Sequence, residues 1–518
     1  MDRITSPQPS HARSSSKDVV VVSNISPSPS SPLDEKFTPN PKHASTQSWQ
    51  STDSYASTSS TNTLTPFLEK DLEKQQDPLP RKRYSRVLRH ARHTFGNVYR
   101  RLFSVVFIFN MIGLGVVFRH YHDKLSSPSL LSHCATAASA NIMVALLVRQ
   151  DYVVNILFRM TWFIPLSAPL RLRRILAKVY EYGGVHSGAA CASVIWFILL
   201  TGFLTNNFAK HLYNLRDPAI MTFTYILLAL LFSLCVTAYP RFRFSSHNTF
   251  ENVHRWAGWF SLGLFWIELV LFARTQSTPS TLGITLIKLP AFWFLLVSSL
   301  HAIYPWLRFH KMPVEAEKLS NHAIRLHFKE KIPLFVGIRI SDAPLREWHS
   351  FACIPARNSE QGGSVLISNA GDWTKKTIAS PNPYYYVKGV PVTGVMCMAR
   401  IFRKIICVTT GSGIGPVLAV IQDIPKSKIV CRVLWSTPSP LVTYGQGILD
   451  AVTSVDSEAV IIDTRKERRP DLLRRAYELY KQEQAEAVFV ISNPKLTRKV
   501  VYGLESRGVP AFGPIWDS

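Results

Sequence analysis

The run Lys404-Ile405-Ile406-Cys407-Val408-Thr409-Thr410 ends on Gly411-Ser412-Gly413-Ile414-Gly415-Pro416 and continues into Val417-Leu418-Ala419-Val420-Ile421. An apolar strand, a glycine-rich turn and a helix start are the parts of an anion cradle. Glycines let backbone N–H groups approach a pyrophosphate, and a helix N-terminus favours its negative charge. Further strands are expected at 429–435, 459–463 and 487–492, with helices around 470–483 and 494–507. Alternating β and α implies a parallel sheet covered on both faces. In that setting nucleotide binding is favoured over a merely structural turn. The spacing GSGIGP departs from GxGxxG, so an ordinary Rossmann dehydrogenase is not indicated. Upstream, 323–328, 334–340 and shorter strand-like runs between 315 and 400 are enough chain for a small antiparallel barrel.

These segments follow an apolar half. A helix needs about 20 mainly apolar residues to cross a bilayer, and six segments qualify: 101–119, 133–149, 185–206, 219–239, 256–273 and 283–305. The second is the weakest, because Asn141 interrupts small residues. Basic residues sort between them. RKRYSRVLRHARHTFGNVYRR precedes span 1. Arg149, Arg159, Arg171, Arg173, Arg174 and Lys178 lie between spans 2 and 3. Arg241, Arg243 and Arg255 lie between spans 4 and 5, and Arg308 and Lys311 follow span 6. Positive residues stay cytosolic, so both termini are predicted on that side, with membrane lipid as a partner. The start has no apolar h-region, so no cleavable signal peptide is expected.

Composition agrees. The 518 residues hold 59 Lys and Arg against 34 Asp and Glu, a net charge of +25, yet only 18% are charged. Soluble domains carry about 25%. One soluble globule, a wholly disordered scaffold and a disulfide-rich secreted module are disfavoured. A nucleic-acid partner is disfavoured too, because the arginines flank spans and no nucleic-acid motif accompanies them. Seven cysteines without a CxxC pair read as reduced core residues. The expected organisation is a disordered Ser/Thr/Pro-rich cytosolic tail at 1–80, a six-span α-helical membrane bundle at 81–310, an antiparallel β-barrel at 315–400 and an α/β nucleotide domain at 401–518.

That order resembles the ferric reductase and NADPH oxidase superfamily, with its ferredoxin-reductase-like module. Trp348-His349-Ser350-Phe351-Ala352 resembles the His-Pro-Phe-Thr flavin motif, and Gly371-Asp372-Trp373-Thr374 the segment that follows it. Gly411–Pro416 sits at the pyridine-nucleotide loop. Arg469-Pro470-Asp471-Leu472 resembles a later nucleotide-side loop, and 488–494 the last strand and its Cys-Gly-Pro turn. The tract 434–440 with Thr443-Tyr444-Gly445 is similar to the fungal TmpA-type transmembrane flavoproteins, which would imply a fungal source and a link to conidiation. The resemblance implies FAD at His349, Ser350, Phe351, Gly371 and Thr374. It implies NADPH or NADH at Thr410, Gly411, Ser412, Gly413, Gly415, Pro416, Arg469 and Ser492. Ser350, Ala352, Ser492 and Asn493 depart from the family pattern. Arg465, Lys466, Arg468 and Arg469 suit a 2′-phosphate, although a solvated charge run is the commoner reading of such a cluster.

Members of that superfamily hold two haems on paired histidines of spans 3 and 5. Here His186 and His254 open those spans. They would serve one b-type haem, or merely mark helix ends. The outer pair is replaced by Leu199 or Leu200 and by Ile267 or Glu268, so the outer haem is not expected. A carboxyl within a span implies an internal partner or function, with His301 a candidate partner. The expectation is an integral membrane flavoprotein oxidoreductase, ferric-reductase-like. It would pass electrons from cytosolic NAD(P)H through FAD to a haem or to an unknown acceptor, the plasma membrane being one location. The alternatives are a catalytically weak nucleotide-binding membrane signalling or scaffold protein and, third, a transporter.

Overall fold

The computed structural model describes residues 78–212, 217–333, 335–356, 362–422 and 429–515. The expected tail therefore lies almost wholly outside the described residues. The apolar half is built from α1 (Val98–Tyr121), α2 (Pro128–Leu147), α3 (Asp151–Trp162), α4 (Gly183–Ala209), α5 (Pro218–Thr237), α6 (His247–Arg274) and α7 (Pro290–Leu307). All but α3 are long and apolar enough to cross a membrane, by length and composition. Pro128, Pro218 and Pro290 open their helices, where a missing N–H is no loss. Pro290 also explains why the sixth segment starts later than expected. Leu289 before it is extended, so 282–288 forms a separate short helix, as the steric restriction before proline dictates.

Small residues set the bundle's closest approach. A Cβ on Gly184 would stand 2.0 Å from the Tyr99 carbonyl oxygen, and one on Gly188 2.9 Å from that of Phe103. The Gly184-xxx-Gly188 face thus lets α4 lie against the α1 backbone. Asn141, which weakened the second segment on paper, is satisfied internally. Its Nδ2 donates to Asn110 Oδ1 at 2.7 Å, and Trp196 Nε1 donates to the same oxygen at 3.0 Å.

The polar half holds two sheets. In the first, β1 (His310–Pro313), β2 (Glu315–Lys318), β3 (Ala323–Phe328), β4 (Val336–Ser341), β5 (His349–Pro355), β6 (Gly363–Ser368) and β7 (Tyr384–Val387) lie in the order β1-β7-β4-β5-β6-β3-β2, with β8 (Val392–Thr393) on β4. All pairs are antiparallel. Ile324, Ile338, Ile340, Val365, Ile367 and Tyr385 share one core with Trp373 and Ile378 of α8 (Asp372–Ala379). The sheet is therefore curled into a nearly closed barrel around that core.

The second sheet runs β9 (Lys404–Thr410), α9 (Ile414–Ile421), β10 (Val430–Thr437), α10 (Pro440–Val455), β11 (Val460–Asp463), α11 (Leu472–Gln482), β12 (Ala487–Ile491), α12 (Pro494–Glu505) and β13 (Ala511–Phe512). Its order is β11-β10-β9-β12-β13, parallel throughout. Successive β9 residues alternate between two buried cores. Ile406 and Val408 join α11 and α12, while Ile405 and Cys407 join α9 and α10. This double burial explains the unbroken apolar run that the sequence shows there.

The segment between α2 and α4 fastens both sheets. Arg173, 4% exposed, donates to both carboxylate oxygens of Glu486 at 2.8 and 2.9 Å and to the Ile401 carbonyl at 2.9 Å. Arg174 donates to the Glu486 carbonyl, and Lys178 to Glu505 at 2.7 Å. On α3, Asn155 Nδ2 donates to the Pro391 carbonyl, Asn155 Oδ1 accepts from Thr393, and Asp151 pairs with Arg339. Burial pushes the carboxyls of Glu486 and Glu505 up. Arg173 and the Arg403 N–H at the first, and His93 and Lys178 at the second, outweigh it, so both titrate below the usual range.

Two outcomes are expected. Arg173→Met strands a half-buried carboxylate and destabilises by about 1–3 kcal/mol, read as a lowered Tm; adding Glu486→Gln restores most of the loss. Because both carboxyl values are depressed on folding, their stabilisation is complete above the unfolded value of 4.5 and is lost as pH falls through the lower folded values. Hydrogen exchange of 170–181 is the measurement, with faster exchange expected only on the acid side.

Candidate functional site

From β9 the chain moves to β10 and β11 on one side, then returns to β12 and β13 on the other. The order reverses between β9 and β12, and ligands of open α/β sheets bind beyond the carboxyl ends of strands at such a point. Thr410 ends β9, Gly411, Ser412, Gly413, Gly415 and Pro416 lie beyond it, and Ser492 lies beyond β12. The structure brings these together. The Thr410 and Ser492 hydroxyls hydrogen-bond each other, and Thr409 Oγ1 donates to the Ile491 carbonyl at 3.0 Å.

Gly411 has φ +55, the left-handed region that favours glycine. A Cβ on Gly413 would stand 2.5 Å from both the Ile491 carbonyl oxygen and Thr409 Oγ1. The turn can therefore lie flat on the β9–β12 ends only with glycine there. Gly415 and Pro416 sit in the first turn of α9, where backbone N–H groups lack helical partners. Ser412 hydrogen-bonds Ser368 on β6, which joins the turn to the barrel. The donor set, a glycine cradle at a helix start, fits a pyrophosphate.

Arg469 stands apart. It is exposed on the loop after β11, two strands from β9 but at the same carboxyl edge of the sheet. Asp463 pins the start of that loop, accepting from the N–H groups of Ser439 at 2.7 Å and Arg465 at 3.0 Å. Those two N–H groups hold its carboxyl below the usual range.

The flavin-motif residues lie on the barrel. His349, Ser350 and Phe351 open β5, where they pair with β4 alone. β6 pairs only with Cys353, Ile354 and Pro355. One backbone edge of the motif is thus left without a ladder partner. The His349 ring stacks on Trp373 with centroids 4.0 Å apart, and Phe351 lies 6.0 Å from Trp373. Trp373 Nε1 donates to Asp342 at 2.9 Å. Thr374 Oγ1 accepts from the N–H groups of Ala370 and Gly371 and donates to the Gly371 carbonyl. Its hydroxyl therefore caps α8, and Gly371 is the residue it caps. The open β5 edge can hold a group through backbone hydrogen bonds.

Three residues outside the sequence-based set complete the site. Trp435 Nε1 donates to the Gly411 carbonyl at 2.9 Å. The Tyr444 hydroxyl lies 3.3 Å from where a Gly411 Cβ would stand. Both belong to the 434–445 tract, which was legible only as a family likeness. Lys388 lies 4.2 and 4.3 Å from the ring centroids of Trp306 and Trp348, and burial lowers its amine to about 8. No sequence pattern points to it.

His186 and His254 are near enough to interact electrostatically. His186 Nδ1 lies 2.9 Å from the Ala145 carbonyl, the outer contact that a ligating histidine usually makes. His254 Nδ1 is buried without a hydrogen-bond partner. The pair fits haem ligation only in part, and among the described residues no three His, Cys, Asp or Glu side chains gather as a metal site. His301 is bonded to Tyr152, not to Glu268.

Residues 395–518 match the family model described as the C-terminal domain of adenylate-forming reductase 03009. The chain is 42% identical over 450 residues to adenylate-forming reductase 03009 and 41% identical over 452 residues to adenylate-forming reductase 06235, both from Coprinopsis cinerea. Each match covers 86% of this chain and 42% of the relative, so the chain spans less than half the length of these curated relatives. Among solved structures, a ferredoxin NADP+ reductase from Neisseria gonorrhoeae with FAD and NADP is 12% identical, with a TM-score of 0.33, over 40% of this chain and 98% of that one. A flavohemoglobin from Malassezia yamatoensis with FAD and haem is 14% identical, with a TM-score of 0.36, over 74% and 98%.

The two relatives overturn the functional expectation. What matches most of this chain is an adenylate-forming reductase. Neither relative is named as a ferric reductase, an NADPH oxidase, a TmpA-type flavoprotein or a scaffold, and the link to conidiation falls with that expectation. The physical reason is that the motifs carrying the resemblance all lie on β5, α8 and the ends of the parallel strands. Those positions shape cofactor cradles and say nothing of where electrons go.

Glycine substitutions test the cradle. Gly413→Ala is expected to destabilise by about 1–3 kcal/mol through forced overpacking. Gly415→Ala, whose Cβ would meet only Leu366 at 3.6 Å, should leave Tm within a degree or two of the parent.

Proposed function

We propose that this chain supplies the reducing part of an adenylate-forming reductase, with NAD(P)H bound at Gly411–Pro416 and FAD bound along β5. The observation that carries the reading is the glycine turn at the β9–β12 switch point, hydrogen-bonded through Ser412 to Ser368 of the barrel. When both are bound, NAD(P)H supplies a hydride and FAD accepts it. The chain's residues orient the pair. The N–H groups of the turn and of the first α9 turn take the pyrophosphate. Thr410 and Ser492 floor the crevice between β9 and β12. The α9 helix packs on β5, which holds the open edge at His349, Ser350 and Phe351 beside the nucleotide. Arg465, Lys466, Arg468 and Arg469, all exposed, give the β11 loop a charge suited to a 2′-phosphate and hence to NADPH. No described residue is assigned to adenylate formation.

The same proposal embeds α1, α2 and α4–α7 in a bilayer, with the sheets on the cytosolic side. What supports it is an apolar outer face. Ile108, Phe109, Ile112 and Val116 of α1 are each more than half exposed, a cost in water that lipid removes.

The test is NADPH oxidation by the full chain in detergent, with ferricyanide as artificial acceptor. A flavin spectrum that bleaches with NADPH is expected. Arg469→Ala should raise the KM for NADPH roughly threefold to tenfold, with kcat and the KM for NADH little changed, since an exposed ion pair is worth about 1 kcal/mol. A purified chain without a flavin band, or one that NADPH does not bleach, refutes the reading.

A further inference from the structure

Inside the helical bundle, α2, α4, α6 and α7 line a partly open cavity of about 60 Å³. One water needs about 10–15 Å³ of such space, so the chamber has room for several. Its walls are apolar, with Phe197, Leu200, Phe265, Leu269 and Leu295 among them. One ionisable group faces it. Glu268 is 7% exposed. Its Oε1 accepts from Thr224 Oγ1 of α5, but that hydroxyl also lies 2.7 Å from the Ile220 carbonyl and has a single proton for the two acceptors. Glu268 Oε2 is buried with no hydrogen-bond partner.

A carboxyl in such a place is costly unless a donor or counter-charge meets it. No described lysine, arginine or histidine supplies an ion pair to it, and His301 is engaged by Tyr152. Ser298, also in the cavity wall, donates to the Phe294 carbonyl of its own helix. The unmet polar demand is thus local and single, one carboxyl in an apolar chamber.

We infer that this cavity is a binding site for a small aliphatic primary amine, or for the amine head of a longer apolar molecule, held by Glu268 Oε2. A neutral amine crosses hydrocarbon and takes the carboxyl proton on arrival. The product is an ammonium–carboxylate pair. The alkyl part packs on Leu200, Leu269 and Leu295. The site lies about 21 Å along α6 from His254, at 1.5 Å per residue, and uses none of the residues that bind nucleotide or flavin.

The probe is n-butylamine, compared with n-butanol of equal length, added to the full chain in detergent and followed by thermal shift and calorimetry. Saturable binding of the amine, at least tenfold tighter than the alcohol, is expected. Glu268→Gln keeps the shape and the Thr224 contact and should weaken the amine at least tenfold while leaving the alcohol unchanged. Leu295→Phe, which fills the chamber, should abolish both. Equal binding of amine and alcohol, amine binding unchanged in Glu268→Gln, or no saturable binding in the parent chain overturns the proposal.

Discussion

The Arg173–Glu486 pair holds the architecture together. Two parallel N–H···O bonds from a buried guanidinium fix orientation as well as distance. Glu486 immediately precedes β12, and its carboxylate also accepts from the Arg403 N–H just before β9. One carboxylate therefore ties the starts of the two strands whose other ends form the nucleotide crevice to a loop between helices α2 and α4. Arg174, Lys178 and the α3 contacts repeat the fastening at α12 and at β8. The sheets are docked on the bundle at fixed points and do not hang from the 308–310 linker alone.

This placement changes the meaning of the basic residues. Read along the chain, Arg171, Arg173, Arg174 and Lys178 mark a cytosolic loop. In three dimensions two of them are carboxylate partners of the nucleotide domain. Charge counting sees only that lysine and arginine cluster between apolar segments; it cannot see a glutamate more than 300 residues away. The α3 helix escaped for a related reason. Its buried stripe, Val154 and Phe158, packs on the sheets and not on its neighbours in sequence.

The parts legible in advance are those with strong local periodicity. The six apolar helices appear, with ends moved by Pro290 and by the early start of α6 at His247. The β9–turn–α9 unit appears because glycine, apolar strand and helix start are contiguous. The barrel was legible as short strands, but α8 within it was not, because its cap is closed by a single Thr374 hydroxyl on three backbone groups. Trp435 and Tyr444 shape the glycine turn from the next strand and helix, a tertiary relation with no linear signal.

Along α4 and α6 the same spacing organises two distinct levels. His186 and His254 mark one, and Leu200 and Glu268 mark the other, 14 residues on in each helix. Between them Phe197 and Phe265 meet edge to face at 5.6 Å, filling the space where the two helices face each other. A planar cofactor spanning the levels would have to displace that aromatic contact, worth about 0.5–1.5 kcal/mol beyond its buried area, and the close packing around it. The levels are thus separate sites with different chemistry: two imidazoles at one, and one carboxyl in a mainly apolar chamber at the other. The resemblance that first drew attention to these positions treats them as equivalents. The side chains do not, because replacing imidazole by leucine and a carboxyl removes two neutral iron ligands and leaves one carboxyl whose unpartnered oxygen calls for a hydrogen-bonding partner and not for a metal.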